Sequence, residues 1–159
     1  MKTFFIKSCL ILSGLLVSDI YVTSQSKFEI SCGIGFPEAI NLKVKYGKDV
    51  QIGLSQGYFP TGEPGFWGST SLEINKNLAG KSKYTSQKVW YILGGINGFY
   101  TNGGDFGLLP YLRFGRKFNF SQRIGFNLDF GPMLLDKNDQ DWFGTPVIPS
   151  GNIGLFMRL

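Results

Sequence analysis

Three carboxylates, Glu29, Glu73 and Asp129, fall inside segments of alternating polarity, and together they are the chain's best material for acid–base chemistry. A carboxylate pair can catalyse without help, but interior carboxylates more often balance interior Lys and Arg. The sequence contains no histidine. That removes Ser/His and Asp/His machinery, and with it the commonest metal ligand. Gly94-Gly95 and Gly103-Gly104 belong to a curved strand and a turn, and neither sits in a P-loop framework. The stretch DKNDQDWFG offers Asp136, Asp139 and Asp141 as oxygen ligands for Ca²⁺, but it lacks EF-hand spacing and the closing bidentate Glu. A solvated acidic loop is the expectation there, with a divalent site as the alternative. Lys81, Lys83 and Lys88 form a basic link for which a solvated turn is expected, against contact with anionic lipid or cell-wall polymer. No enzyme activity, metal or cofactor is expected.

The elements that position these residues are strands. In RIGFNLDFG (123–131), Ile124, Phe126, Leu128 and Phe130 alternate with polar or tiny residues, the period of a β-strand with unlike faces. Similar segments span 28–35, 39–46, 50–57, 67–77, 88–99, 107–117 and 151–159. Large apolar residues fall mostly on even numbers in the first seven and on odd numbers in the last, at Ile153, Leu155, Met157 and Leu159. The opposite parity carries Gly, Ser and Asn together with charges, which suits the crowded inside of a narrow barrel. The pattern is weakest in 88–99, where Val89, Tyr91 and Leu93 make the second face apolar too. Eight such strands predict an all-β, eight-stranded antiparallel up-and-down barrel.

A soluble barrel would point its apolar face inward, whereas a transmembrane barrel points it at lipid. Aromatics gather toward the two strand ends: Tyr58, Trp67, Tyr100 and Trp142 on one side, Phe28, Tyr46, Trp90 and Phe118 on the other. Two girdles of this kind suit bilayer interfaces, so Tyr46, Trp67, Trp90 and Trp142 are read as interface aromatics.

The chain opens as a secretory signal peptide does, with Lys2 and Lys7, an apolar run from Cys9 to Val17, and the small-residue site Val22-Thr23-Ser24. That run is shorter than the roughly 20 residues needed to span a bilayer. Cleavage after Ser24 divides the chain into a signal peptide (1–24) and a barrel domain (25–159). Cys9 opens the apolar run instead of following it, so it does not read as a lipoprotein acylation site. Cys32 alone would then remain, so no intramolecular disulfide is expected. Loss of two lysines and one aspartate lowers the net charge from +5 to +4. So mild and scattered a charge argues against nucleic acid.

With its signal peptide, eight strands and terminal GLFMRL, the chain resembles the small outer-membrane β-barrel proteins of Gram-negative bacteria, with the architecture of the OmpX and OmpA transmembrane domains, over about residues 27–159. Such proteins usually end on an aromatic residue; here Leu159 ends the chain and Phe156 stands three back. The resemblance implies a monomer in the bacterial outer membrane, in contact with its lipid and lipopolysaccharide. It also implies insertion by the barrel-assembly machinery. Termini on the periplasmic side would leave inner turns at 47–49, 78–87 and 118–122 and outer loops at 36–38, 58–66, 100–106 and 134–150. An eight-stranded barrel is filled by its side chains, so no open pore is expected. The role is then structural or surface-interactive, through loops 58–66, 100–106 and 134–150; the partner is unknown. The alternative is an exported lipocalin-like barrel binding a small apolar ligand.

Parity and closure together predict an interior charge network of Glu29, Lys43, Glu73, Arg113, Asp129 and Arg158. Glu29 and Arg158 should meet across the seam between the first and last strands.

Overall fold

The computed structural model describes residues 27–60, 66–101, 106–135 and 146–159. Eight strands follow one another: β1 (Phe28–Phe36), β2 (Ala39–Gly47), β3 (Val50–Pro60), β4 (Phe66–Ala79), β5 (Trp90–Thr101), β6 (Phe106–Asn119), β7 (Ile124–Leu134) and β8 (Val147–Arg158). Each strand pairs antiparallel with its sequence neighbours, and β8 pairs with β1 to close the barrel. Closure leaves no edge strand, which is how such a sheet avoids pairing with other chains.

Alternation decides which residues face in. Along β6, Leu109, Tyr111, Arg113, Gly115 and Lys117 are buried while Leu108, Leu112, Phe114 and Arg116 are exposed. The shift of β8 to odd outward residues follows from its register. Directly paired residues share a face of a sheet, and Ile124 pairs with Met157 while Leu128 pairs with Ile153. Even residues of β7 therefore lie beside odd residues of β8.

The β1–β4 wall of the lumen is chiefly polar, whereas the β5–β8 wall mixes buried polar residues with an apolar cluster. Ser31, Asn41, Lys43, Gln51, Ser55, Ser71, Glu73 and Asn75 line the β1–β4 side. On the β5–β8 side Tyr91, Leu93, Leu109, Tyr111, Met133, Leu135 and Ile148 form one apolar cluster. The doubly apolar segment at 88–99 is thereby explained, because Tyr91 and Leu93 fill the interior. Their bulk is accommodated by glycine. The Tyr91 ring lies over Gly115 and the Tyr111 ring over Gly95, so a Cβ at either glycine would strike the ring.

Several strands run further than the sequence suggests. β7 continues to Leu134 and β8 begins at Val147, so the expected loop 134–150 is shorter, and β3 reaches Pro60. Proline ordinarily signals the end of a strand because it lacks a ladder N–H. Here Pro132 and Pro149 stand opposite each other in the β7–β8 ladder. The cost appears on the other side of β7. There the β6 ladder is interrupted between Tyr111↔Met133 and Phe114↔Phe130, alongside Gly131 and Pro132. At 88–99 the strand starts later, at Trp90. A bulge between Asn77 and Ala79 adjusts its register with β4.

The 1–24 segment read as a signal peptide lies outside the described residues, as do Asp136, Asp139, Asp141 and Trp142.

Candidate functional site

The interior holds two clusters of charge. The first begins in the tight β1–β2 turn, where Glu38 folds inward to 1% exposure. Arg113, projecting from the middle of β6, donates from one guanidinium nitrogen to Glu38 Oε2 at 3.0 Å and from another to Oε1 at 3.2 Å. This fork-on-carboxylate geometry is the strong form of the Arg–carboxylate bond. Arg113 also reaches Asp129 of β7 at 3.4 Å, Ser150 Oγ of β8 at 3.0 Å and the Phe36 carbonyl at 2.9 Å. Lys43 of β2 bridges Glu38 at 3.1 Å and Glu73 of β4 at 2.8 Å. Two tyrosines from the far wall complete the set: the Tyr111 hydroxyl donates to Glu73 at 3.0 Å and the Tyr91 hydroxyl to Asp129 at 2.8 Å. With Lys45 4.0 Å from Glu73, three cations face three carboxylates.

The second cluster lies at the end that carries the termini. Glu29 of β1 stands opposite Arg158 of β8 in the ladder, and the two side chains approach to 3.4 Å. Lys117 of β6 binds Glu29 more closely, at 2.8 Å, and donates to Gln51 Oε1 at 3.1 Å. Arg158 also donates to Asn119 Oδ1 at 2.9 Å and to the Gln122 carbonyl at 3.2 Å.

All six residues singled out from sequence are buried on the lumen side. Lys43 joins Glu73, Arg113 joins Asp129, and Glu29 joins Arg158. Sequence reasoning did not single out Glu38, the hub of the first cluster, or Lys117, the nearest partner of Glu29. Lys117 shares the odd parity of Arg113, a signal that was available. Glu38 sits in a turn, where alternation carries no information about direction.

What the arrangement does is brace the wall electrostatically. The first cluster ties β2, β4, β5, β6, β7, β8 and the β1–β2 turn across the lumen; the second ties β1, β3, β6 and β8. Among the described residues there is no group of three or more His, Cys, Asp or Glu side chains placed to hold a metal ion. Arg113, Tyr91, Lys43, Lys117, Phe156, Leu93 and Met133 are all completely or almost completely buried, so the interior is filled.

Glu38 lies in a turn outside the strands, and its environment gives stability a pH dependence. Burial opposes its charged form, but Lys43 and Arg113 outweigh burial and hold the carboxyl below its ordinary 4.5. A depressed folded-state value means that its stabilisation is fully present above the unfolded value. It is lost as pH falls from there through the folded value. Unfolding midpoints measured on an acid series should therefore fall below about pH 4.5. The fall should be shallower in Glu38→Gln, and an unchanged acid slope in that variant would remove Glu38 from the account.

Of the four aromatics expected at interfaces, Tyr46 is exposed on the outer surface and packs edge-on against Phe28 at 5.3 Å. Trp90 faces outward and stacks on Phe114 at 5.2 Å. Phe118, Phe126 and Phe120 continue this aromatic band around the terminal end. The side chain of Trp67, like Trp142, lies outside what the structure describes. No protein-family model, curated protein or solved structure matches the chain.

Proposed function

We propose that the chain is an exported, non-enzymatic integral β-barrel of the Gram-negative outer membrane. Its filled interior forms no open pore, and its role is structural or surface-interactive through the loops opposite the termini. The observation that carries this reading is the inversion of polarity across the wall. Ile52, Leu72, Phe106 and Phe130 are each 60–68% exposed, while Glu29, Lys43, Glu73, Arg113 and Lys117 are buried. The largest apolar patch on a typical soluble monomer is about 300–600 Å². Here exposed apolar side chains occur on every one of the eight strands. Lipid solves this problem, since it covers the apolar belt and a sheet closed on itself presents no open strand edge to it. The aromatic band at the terminal end supports the same reading.

Membrane lipid and lipopolysaccharide are then its surroundings, and the barrel-assembly machinery its route into them. The test is fractionation of cells expressing the chain. The protein should stay with the outer-membrane fraction through carbonate and high-salt washes. Recovery in the soluble fraction would overturn the reading.

A second reading, an exported lipocalin-like carrier, has one observation in its favour: the apolar cluster of Tyr91, Leu93, Leu109, Tyr111, Met133, Leu135 and Ile148 faces the lumen. It would be favoured by a water-soluble sample that retains an added apolar ligand in equilibrium dialysis and loses it in Leu109→Arg.

A further inference from the structure

Two charged strand residues, Lys76 of β4 and Arg116 of β6, interrupt the apolar outer surface. Arg116 of β6 is exposed on the same outward face as Leu112 and Phe114. Its guanidinium lies 4.9 Å from the centre of the Trp90 ring and 4.8 Å from that of Phe118. These contacts hold it in place over the sheet. Among the described residues no carboxylate pairs with Arg116, nor with the exposed Lys76, Lys88 and Arg123. Beside Arg116 runs a groove of about 210 Å³ lined by Trp90, Phe114, Phe118, Leu128 and Phe130, and by Asp129, whose carboxylate is turned into the lumen toward Arg113 and Tyr91. β6 ends at Asn119. Three residues of strand therefore put Arg116 about 10 Å from that end, the depth of a headgroup boundary rather than of the bilayer centre.

A planar cation with its donors free, above an apolar channel, is complementary to a phosphodiester with an acyl chain attached. We infer that Arg116 and the Trp90–Phe118 groove form a binding site for one anionic phospholipid of the inner leaflet, the guanidinium taking the phosphate and the groove the first part of an acyl chain. This inference rests on the membrane reading and deepens it.

The experiment uses Trp90 as sole reporter, in the chain carrying Trp67→Phe and Trp142→Phe. The protein is inserted into phosphatidylcholine vesicles containing either brominated phosphatidylglycerol or brominated phosphatidylcholine at equal mole fraction. Insertion is scored separately by circular dichroism and protease resistance. Relative affinity from Trp90 quenching should favour the anionic lipid about fivefold, the worth of one basic side chain at an anionic surface. Arg116→Gln should bring that ratio to about one, and Arg116→Lys should leave it intermediate, since lysine keeps the charge but loses the fork. Equal quenching by the two lipids in an inserted protein would overturn the site and leave the membrane reading standing. So would a preference that survives in Arg116→Gln, or release of the lipid by millimolar inorganic phosphate. Failure to insert into either vesicle would overturn both. The comparison without an Arg116 substitution decides on its own, so a variant that fails to fold rescues nothing.

Discussion

Replacing Arg113 with Met should destabilise the barrel by about 3–5 kcal/mol, the usual effect of removing one partner from a buried ion pair. Arg113 is 1% exposed and makes contacts with Glu38, Asp129, Ser150 and the Phe36 carbonyl. Without it, Glu38 keeps only Lys43 as a cation, and Asp129 keeps only the neutral donors of Tyr91 and Asn127. The loss comes mainly from these stranded carboxylates, so removing one of them as well should recover part of it. Arg113→Met with Glu38→Leu should cost less than the sum of the two single changes, by about 0.5–3 kcal/mol. Urea unfolding of the purified protein in detergent micelles measures all four corners of this cycle. A single-variant loss below about 1 kcal/mol, the range of solvated surface pairs, would mean that the network does not brace the wall.

Leu72→Arg is the change that separates membrane from water most sharply. Leu72 lies midway along β4, points outward and is 60% exposed. On the lipid face near the bilayer centre, arginine costs about 2–4 kcal/mol. On the surface of a soluble barrel the same substitution is worth no more than about 0.5 kcal/mol in either direction. Insertion into phosphatidylcholine vesicles at graded urea should therefore shift strongly against Leu72→Arg. Lys76→Leu, at an outward position near the terminal end of the same strand, should be tolerated. Equal behaviour of Leu72→Arg and the unaltered chain would contradict the membrane reading.

Much of the wall was legible because period-two alternation is a local property. Each strand declares its two faces within eight or ten residues. Antiparallel pairing of sequence neighbours then needs only short turns, and an even strand number brings the termini together. From these alone follow the barrel, the odd parity of β8, and Glu29 opposite Arg158 at the seam. Where the reading failed, the competing signals were also local. Pro132 and Pro149 look like breakers in isolation, yet the β7–β8 ladder carries both, because on the far side of each the neighbouring ladder is interrupted or has ended.

What tertiary structure alone decided lies across the lumen. That Glu38 turns inward to meet Arg113, that Lys117 comes closer to Glu29 than Arg158 does, and that Tyr91 and Tyr111 reach Asp129 and Glu73 are contacts between strands that are not ladder neighbours, or with a turn. Alternation states that a side chain points inward, but not at what height or toward which opposite strand. Those depend on strand stagger around the closed barrel and on how far each side chain reaches. The sequence by itself therefore determined the strands, their faces and the closing seam. Only the closed, staggered barrel decided which buried charges meet.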